Sequence, residues 1–264
     1  KVMLTVTDST RKGYDMEYTF LEFVSDDQIK SEAQNLVGQA TDILNDATVG
    51  TTIRFRTDQY GKIVKYYNLK DIRKQAKEVL TKAISKMPYA DSLRAVGLDP
   101  DKLMSMIDSD NLVDGYTEEI ELLFNYHGGQ YKIGETESHE DATGNEYASD
   151  TKTDIWLDPD TYEYGISADV YSHIPREDIK ALLGNLIEYF TDEESAKDVR
   201  KGLDTEFDSQ VTTDGVYNSY VRISYFNDGW PQEVVSQDNI SLGDRQKLKQ
   251  KYITWDYRSV GHSE

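Results

Sequence analysis

The chain contains no cysteine, which excludes disulfides and thiolate chemistry and fits either a cytosolic protein or a bacterial envelope protein stabilised by its core alone. Basic residues are in deficit. Lys and Arg number 29 against 49 Asp and Glu, for a formal charge of -20 over 264 residues. Most of such a surface would repel a phosphate backbone or an anionic membrane, so nucleic acid is not an expected partner. No apolar run approaches the roughly 18 to 20 residues that span a bilayer, so no transmembrane span is expected. The chain opens at Lys1 without methionine or a leader-like segment, as a processed or trimmed chain would.

Catalytic templates are missing as well. The sequence has no G-x-S-x-G elbow, no H-E-x-x-H pair, no Walker loop, no G-x-G-x-x-G and no cysteine nucleophile. The expectation is a chain with no catalytic, cofactor or metal residues. The four histidines, His127, His139, His173 and His262, are widely separated and read as solvated loop residues. The acidic pairs Asp158 with Asp160 and Glu118 with Glu119 could serve a glycosidase, which needs two carboxyl groups flanking a sugar. With 49 acidic residues such pairs also arise by chance. Asp110, Asp114, Gly115 and Glu121 fall at spacings of a calcium-binding loop, but Leu112 takes a ligand place, so a solvated acidic connection is the preferred reading.

What the sequence has is alternation. In TTIRFRTDQYGKIVKYYNLKDIRKQAKEVLTKAISKM, residues 51–87, Ile53, Phe55 and Thr57 alternate with Arg54 and Arg56, as in a strand with one buried face. A turn over 58–61 ending on Gly61 leads to a second strand through Ile63, Tyr66 and Tyr67. Asn68 stands at an N-cap position. Behind it Leu69, Ile72, Ala76, Val79, Leu80, Ala83, Ile84 and Met87 form an apolar helical stripe that should cover the hairpin.

The same theme recurs along the chain. Leu4 and Val6, a turn over 8–13, and Tyr14, Met16, Tyr18 and Phe20 predict a hairpin, followed by a helix over 26–45. The segment 88–110, with Pro88, Gly97 and Pro100, predicts a boundary and a short helix over 100–107. It divides the chain into 1–110 and 111–264, or marks an irregularity in one continuous domain. Ile120, Leu122 and Phe124 alternate as a strand would, and residues 130–139 can return. The polar stretch 135–152 reads as a loop or as two solvated strands. Strands follow through Ile155 and Leu157 and through Tyr164, Ile166 and Val170, turning at Asp158. Pro175 opens a helix over 175–190, and Thr191 with Glu194 caps a shorter one ending near Gly202. Val221, Ile223 and Tyr225 form a strand, and Pro231 in the return through Val234 predicts an edge position. A short helix over 242–251 and a strand through Ile253, Trp255 and Tyr257 close the chain. The expected fold class is α+β, a curved antiparallel sheet built from hairpins and a meander with amphipathic helices on one face.

The phrases IRFRTDQYGKIVKYYNLKDI and YVRISYFNDGWPQEVV resemble segments of uncharacterised secreted lipoproteins of Bacteroides-type gut bacteria. That resemblance implies an antiparallel half-barrel with helices, similar in outline to lipoprotein-carrier folds, exported to the periplasm or cell surface, with a signal peptide and lipid-modified cysteine upstream of Lys1. The sequence supports three functional expectations. The first is a non-catalytic cell-envelope protein binding an apolar or lipid ligand, a glycan, or a protein partner. The others are a structural or adhesive surface module and a hydrolase using acidic residues. Trp156, Trp230 and Trp255 fall in or beside strands, where they would pack on a sheet or stack on a sugar. A deep apolar cavity would point to lipid, an exposed aromatic row to glycan, and a closed core to the structural module.

Overall fold

A computed structural model describes residues 1–23, 45, 48–86, 111–143, 147–190 and 193–256. The chain forms two compact units, one comprising Lys1–Gly129 with Tyr189–Asp192 and the other Gln130–Glu188 with Glu193–Glu264. Every strand pairing is antiparallel, in one four-stranded and one six-stranded sheet. Four helices complete the α+β fold among the described residues.

The first unit carries the sheet β1 (Val2–Thr10), β2 (Gly13–Phe20), β3 (Thr52–Thr57) and β4 (Ile63–Tyr66), in that order. Its alternation is as the residues dictate: Met16, Tyr18, Phe20, Ile53, Phe55 and Thr57 are buried on one face. The other face sets Asp15 opposite Arg56, their side chains 2.7 Å apart, with the Tyr67 hydroxyl donating to Asp15 at 2.7 Å. Helix α1 (Leu69–Lys86) buries Ile72 and Ala76, and α2 (Asn111–Phe124) buries Ile120, Leu123 and Phe124. The Phe124 and Phe55 rings meet edge to face with centroids 5.7 Å apart. Tyr18 is 1% exposed and donates its hydroxyl to Glu119 at 2.8 Å. Burial first, and then the Glu119 charge, raise its pKa far above the ordinary phenol value.

Three local expectations for this unit change. Asn68 does stand at the start of α1, but its side chain serves the sheet: Oδ1 accepts from the Arg54 N–H at 2.9 Å and Nδ2 donates to the Thr52 carbonyl at 2.8 Å. The helix begins instead on the Asn68 carbonyl, which takes the Asp71 and Ile72 N–H groups. Residues 118–124 are helical rather than extended. Three alternating residues cannot outvote the longer stripe of Val113, Thr117, Ile120 and Phe124 at spacings of three and four. The hairpin turn shrinks to Arg11 and Lys12, because β1 runs on to Thr10. The side chains of Leu80, Ala83 and Ile84, the expected helix 26–45 and the short helix 100–107 lie outside the described residues.

The second unit carries β5 (Gly134–Glu140), β6 (Ser149–Leu157), β7 (Tyr164–Ile174), β8 (Gly215–Tyr225), β9 (Pro231–Leu242) and β10 (Arg245–Thr254), a six-stranded meander in chain order. The polar stretch 135–152 therefore forms two solvated strands. Between β7 and β8 the chain makes a helical hairpin, α3 (Arg176–Phe190) and α4 (Glu193–Gln210). One row of the sheet runs Ile155, Ile166, Ile223, Val234 and Ile253 across five strands, and its three central residues are at most 3% exposed. Ile179 of α3 packs where Gly215 opens β8, and a Cβ there would stand 2.6 Å from Ile179 Cδ1. The two helices are joined by Lys180 to Asp204 and Asp208 at 3.2 and 3.0 Å, and by Arg200 to Glu188.

Here too the structure corrects local readings. Helix α4 is not the shorter one. It passes through Gly202 to Gln210, since buried Phe207 and the Asp204 and Asp208 ion pairs in its last turns outweigh the roughly 1 kcal/mol that a mid-helix glycine costs. Leu182, in the expected stripe of α3, is 59% exposed, because the polar pairing with α4 fixes that helix. Strand β9 is central, not an edge. Pro231 is tolerated as its first residue, beside the register shift at Ser224 and Tyr225. Residues 245–251 are a strand rather than a helix: Leu242 pairs with Arg245 across the two-residue turn Gly243-Asp244, with Gly243 at φ 55°.

Candidate functional site

Side chains alternate along each strand of the six-stranded sheet, so the apolar row defines the opposite face by register. One line across that face runs His139, Asp150, Tyr171, Asn218, Asn239 and Leu248. The next runs Glu137, Lys152, Asp169, Tyr220, Gln237 and Gln250, and a third Glu135, Asp154, Ser167, Arg222, Val235 and Tyr252. In the fourth Trp156 lies on Gly165, where a Cβ would stand 2.3 Å from its Cζ2. This face is polar and aromatic, with Tyr171 43% and Tyr252 63% exposed.

Over β5, β6 and β7 the face hollows into an open groove of about 520 Å³ lined by Glu137, Ser138, His139, Asp150, Thr151, Lys152, Asp169 and Tyr171. Short-range pairs lie across this face, within the groove and beyond it. Lys152 reaches Glu135 at 3.2 Å, and the Asn218 amide donates to Asp169 at 2.5 Å. Tyr252 donates to Glu233 at 2.9 Å, and Gln246 to Asn239 at 2.9 Å. His139 stands between two carboxylates, its Nδ1 2.7 Å from Asp150 and its Nε2 3.4 Å from Asp141. The hydrogen bond and charge of Asp150 lead in raising its pKa, with Asp141 adding to them.

A titration follows from that geometry. The His139 ring proton resonances are expected to titrate with a midpoint above about 6.5, and Asp150→Asn is expected to bring the midpoint back toward it. A raised folded-state pKa stabilises the fold fully below the unfolded value, and the contribution fades as pH rises through the folded midpoint. A wild-type midpoint at or below the ordinary value would contradict this placement.

The acidic pairs singled out in the sequence have structural work. Asp158 Oδ1 accepts from the Asp160 and Thr161 N–H groups at 2.8 and 3.1 Å, and those hydrogen bonds lower its pKa. Glu119 takes the Tyr18 hydroxyl, and Glu121 the Tyr66 hydroxyl at 3.4 Å. The calcium-loop spacing dissolves because Asp114, Gly115 and Glu121 lie within α2, where a helix cannot wrap an ion. Among the described residues no three His, Asp or Glu converge as metal ligands. The histidines are not simply loop residues: His139 and His173 lie in strands and His127 packs on Phe124 with ring centroids 5.1 Å apart. His262 lies outside the described residues. Trp255 donates Nε1–H to the Pro231 carbonyl at 2.5 Å, so two of the tryptophans pack on the sheet. No helix among the described residues is long and apolar enough to cross a membrane. Compared with protein-family profiles, curated proteins and solved structures, the chain has no significant match.

Proposed function

We propose that the chain is a non-catalytic bacterial cell-envelope protein that binds a glycan on the polar face of its six-stranded sheet. The observation that carries this reading is a sheet face that sets exposed Tyr171 and Tyr252 and half-buried Tyr220, one in each of three successive lines, among carboxylates and amides: Asp169, Asn218, Gln237 and Gln250. A sugar presents C–H groups on its ring faces and hydroxyls around its rim. Electron-rich aromatic faces suit the first, and carboxylates and amides, as acceptors and donors, suit the second. The envelope location draws on the lipoprotein resemblance and on the abundance of tyrosine, 19 in the chain.

The test is a titration of the purified chain with neutral oligosaccharides, first screened as an array. Tyr171→Ala and Tyr252→Ala are each expected to weaken binding about tenfold, equivalent to about 1.4 kcal/mol. Binding unchanged in both variants, or no oligosaccharide bound by the wild type, would refute the assignment.

A further inference from the structure

Three inner strands of the six-stranded sheet place one aromatic ring and two amides side by side. Tyr171 of β7 lies opposite Asn218 of β8, and Asn218 lies opposite Asn239 of β9, all on the polar face. Neighbouring strands are about 4.8 Å apart, so the three side chains stand at successive steps of that size. The Tyr171 ring is exposed and is set by an edge-to-face contact with His173, centroids 5.7 Å apart. Both asparagines are half-buried, and each has one half of its amide engaged. Asn218 Nδ2 donates to Asp169 Oδ1 at 2.5 Å and to the Val170 carbonyl at 3.3 Å. A carboxylate and a carbonyl only accept, so the amide nitrogen has to face them, and Oδ1 keeps its acceptor capacity. Asn239 is held the other way round: its Oδ1 accepts from Gln246 Nε2 at 2.9 Å, and its Nδ2 keeps its donors. Among the described residues neither Asn218 Oδ1 nor Asn239 Nδ2 has a partner. The line across the sheet therefore offers an aromatic face, then an acceptor, then a donor.

We infer that this line selects an acetamido group, so that the glycan bound here is built from N-acetylated amino sugars. The inference rests on the glycan reading and names the sugar class within it. A trans secondary amide carries its methyl and N–H on one edge and its carbonyl on the other. Set on this line, the methyl meets the Tyr171 ring, the N–H donates to Asn218 Oδ1, and the carbonyl accepts from Asn239 Nδ2. A hydroxyl at the same sugar position brings no methyl to the ring and cannot reach both amides. The amide it leaves without a partner under the ligand is what discriminates against it, since a covered polar group costs more than a missing contact. Asp169 and Gln246 act through the two asparagines, as positioning residues that fix which amide atom is left over.

Isothermal titration calorimetry of the purified chain with two oligosaccharide series matched in length and linkage, one of N-acetylglucosamine and one of glucose, tests it. The N-acetylated series is expected to bind at least about tenfold tighter, the scale of two hydrogen bonds and a methyl contact. Asn239→Asp keeps the acceptor that Gln246 needs but turns the spare donor into a further acceptor, so the affinity ratio between the series should fall to near one. Asn218→Ala removes the other amide and should lower the ratio likewise, with circular dichroism checking that both variants fold. Equal binding of the two series by the wild type overturns the assignment while the glycan reading stands, and so does a ratio that survives both substitutions. Binding of neither series overturns it too, and a wild type that also binds nothing on the wider array removes the glycan reading with it.

Discussion

Phe55→Ala is expected to destabilise the first unit by about 3 to 5 kcal/mol, the range for removing a large aromatic from a closed core. Phe55 is 0% exposed, and its ring touches Tyr66 of the next strand and Phe124 of α2, at centroid distances of 6.0 and 5.7 Å. The four-stranded sheet and its helices therefore lose a shared contact, and the hole cannot collapse without moving a strand. Glu78→Ala, on the exposed side of α1, should stay within about 0.5 kcal/mol. Urea denaturation followed by circular dichroism checks both. All three tryptophans belong to the second unit, so their fluorescence follows that unit separately. Two equally mild changes would mean that the helices lie loose on the sheet.

Gly13→Ala should be comparably severe, costing more than about 3 kcal/mol, for a reason unrelated to apolar burial. Gly13 opens β2 at φ 141°, a conformation that L residues rarely adopt. A Cβ there would stand 1.9 Å from the Thr57 carbonyl oxygen of β3 and 2.9 Å from the Asp58 Cα. Both obstacles are backbone, so relief requires β2 and β3 to separate where Tyr14 pairs with Thr57. The same denaturation experiment measures it, and hydrogen exchange of the β2 and β3 amides should show loss of protection concentrated there. A variant as stable as the wild type would mean that β2 and β3 are less closely paired than described.

Legibility in the sequence followed burial. Where one face of a strand is apolar, as in β2, β3, β7 and β8, period-2 alternation named both the strand and its buried residues. Strand β10 was hidden because both its faces are solvated, leaving no apolar period, while its Lys, Gln, Leu and Arg are good helix formers. The two-residue Gly243-Asp244 turn was the one signal that could have found it. In α2 a three-residue alternation masked the longer helical stripe, and in α4 Gly202 looked like a stop before the ion pairs beyond it were known.

The candidate site was less legible than the fold, for a geometric reason. No segment contains it: each strand contributes a few alternate positions, and only the register lines them up into rows. Trp156 drew notice as an aromatic in a strand, yet Tyr171, Tyr220 and Tyr252 are separated by 49 and 32 residues in sequence and come onto one face solely through pairing.

The most direct test of the sheet face as the binding surface is a chemical-shift map of backbone amides during titration with an oligosaccharide that the chain binds. Shifts are expected to concentrate on Asp169, Tyr171, Asn218, Tyr220, Gln250 and Tyr252, across strands that only the register unites. The amides of the four-stranded sheet should stay unchanged. Perturbations clustered instead in the first unit, or scattered without regard to these rows, would contradict the account.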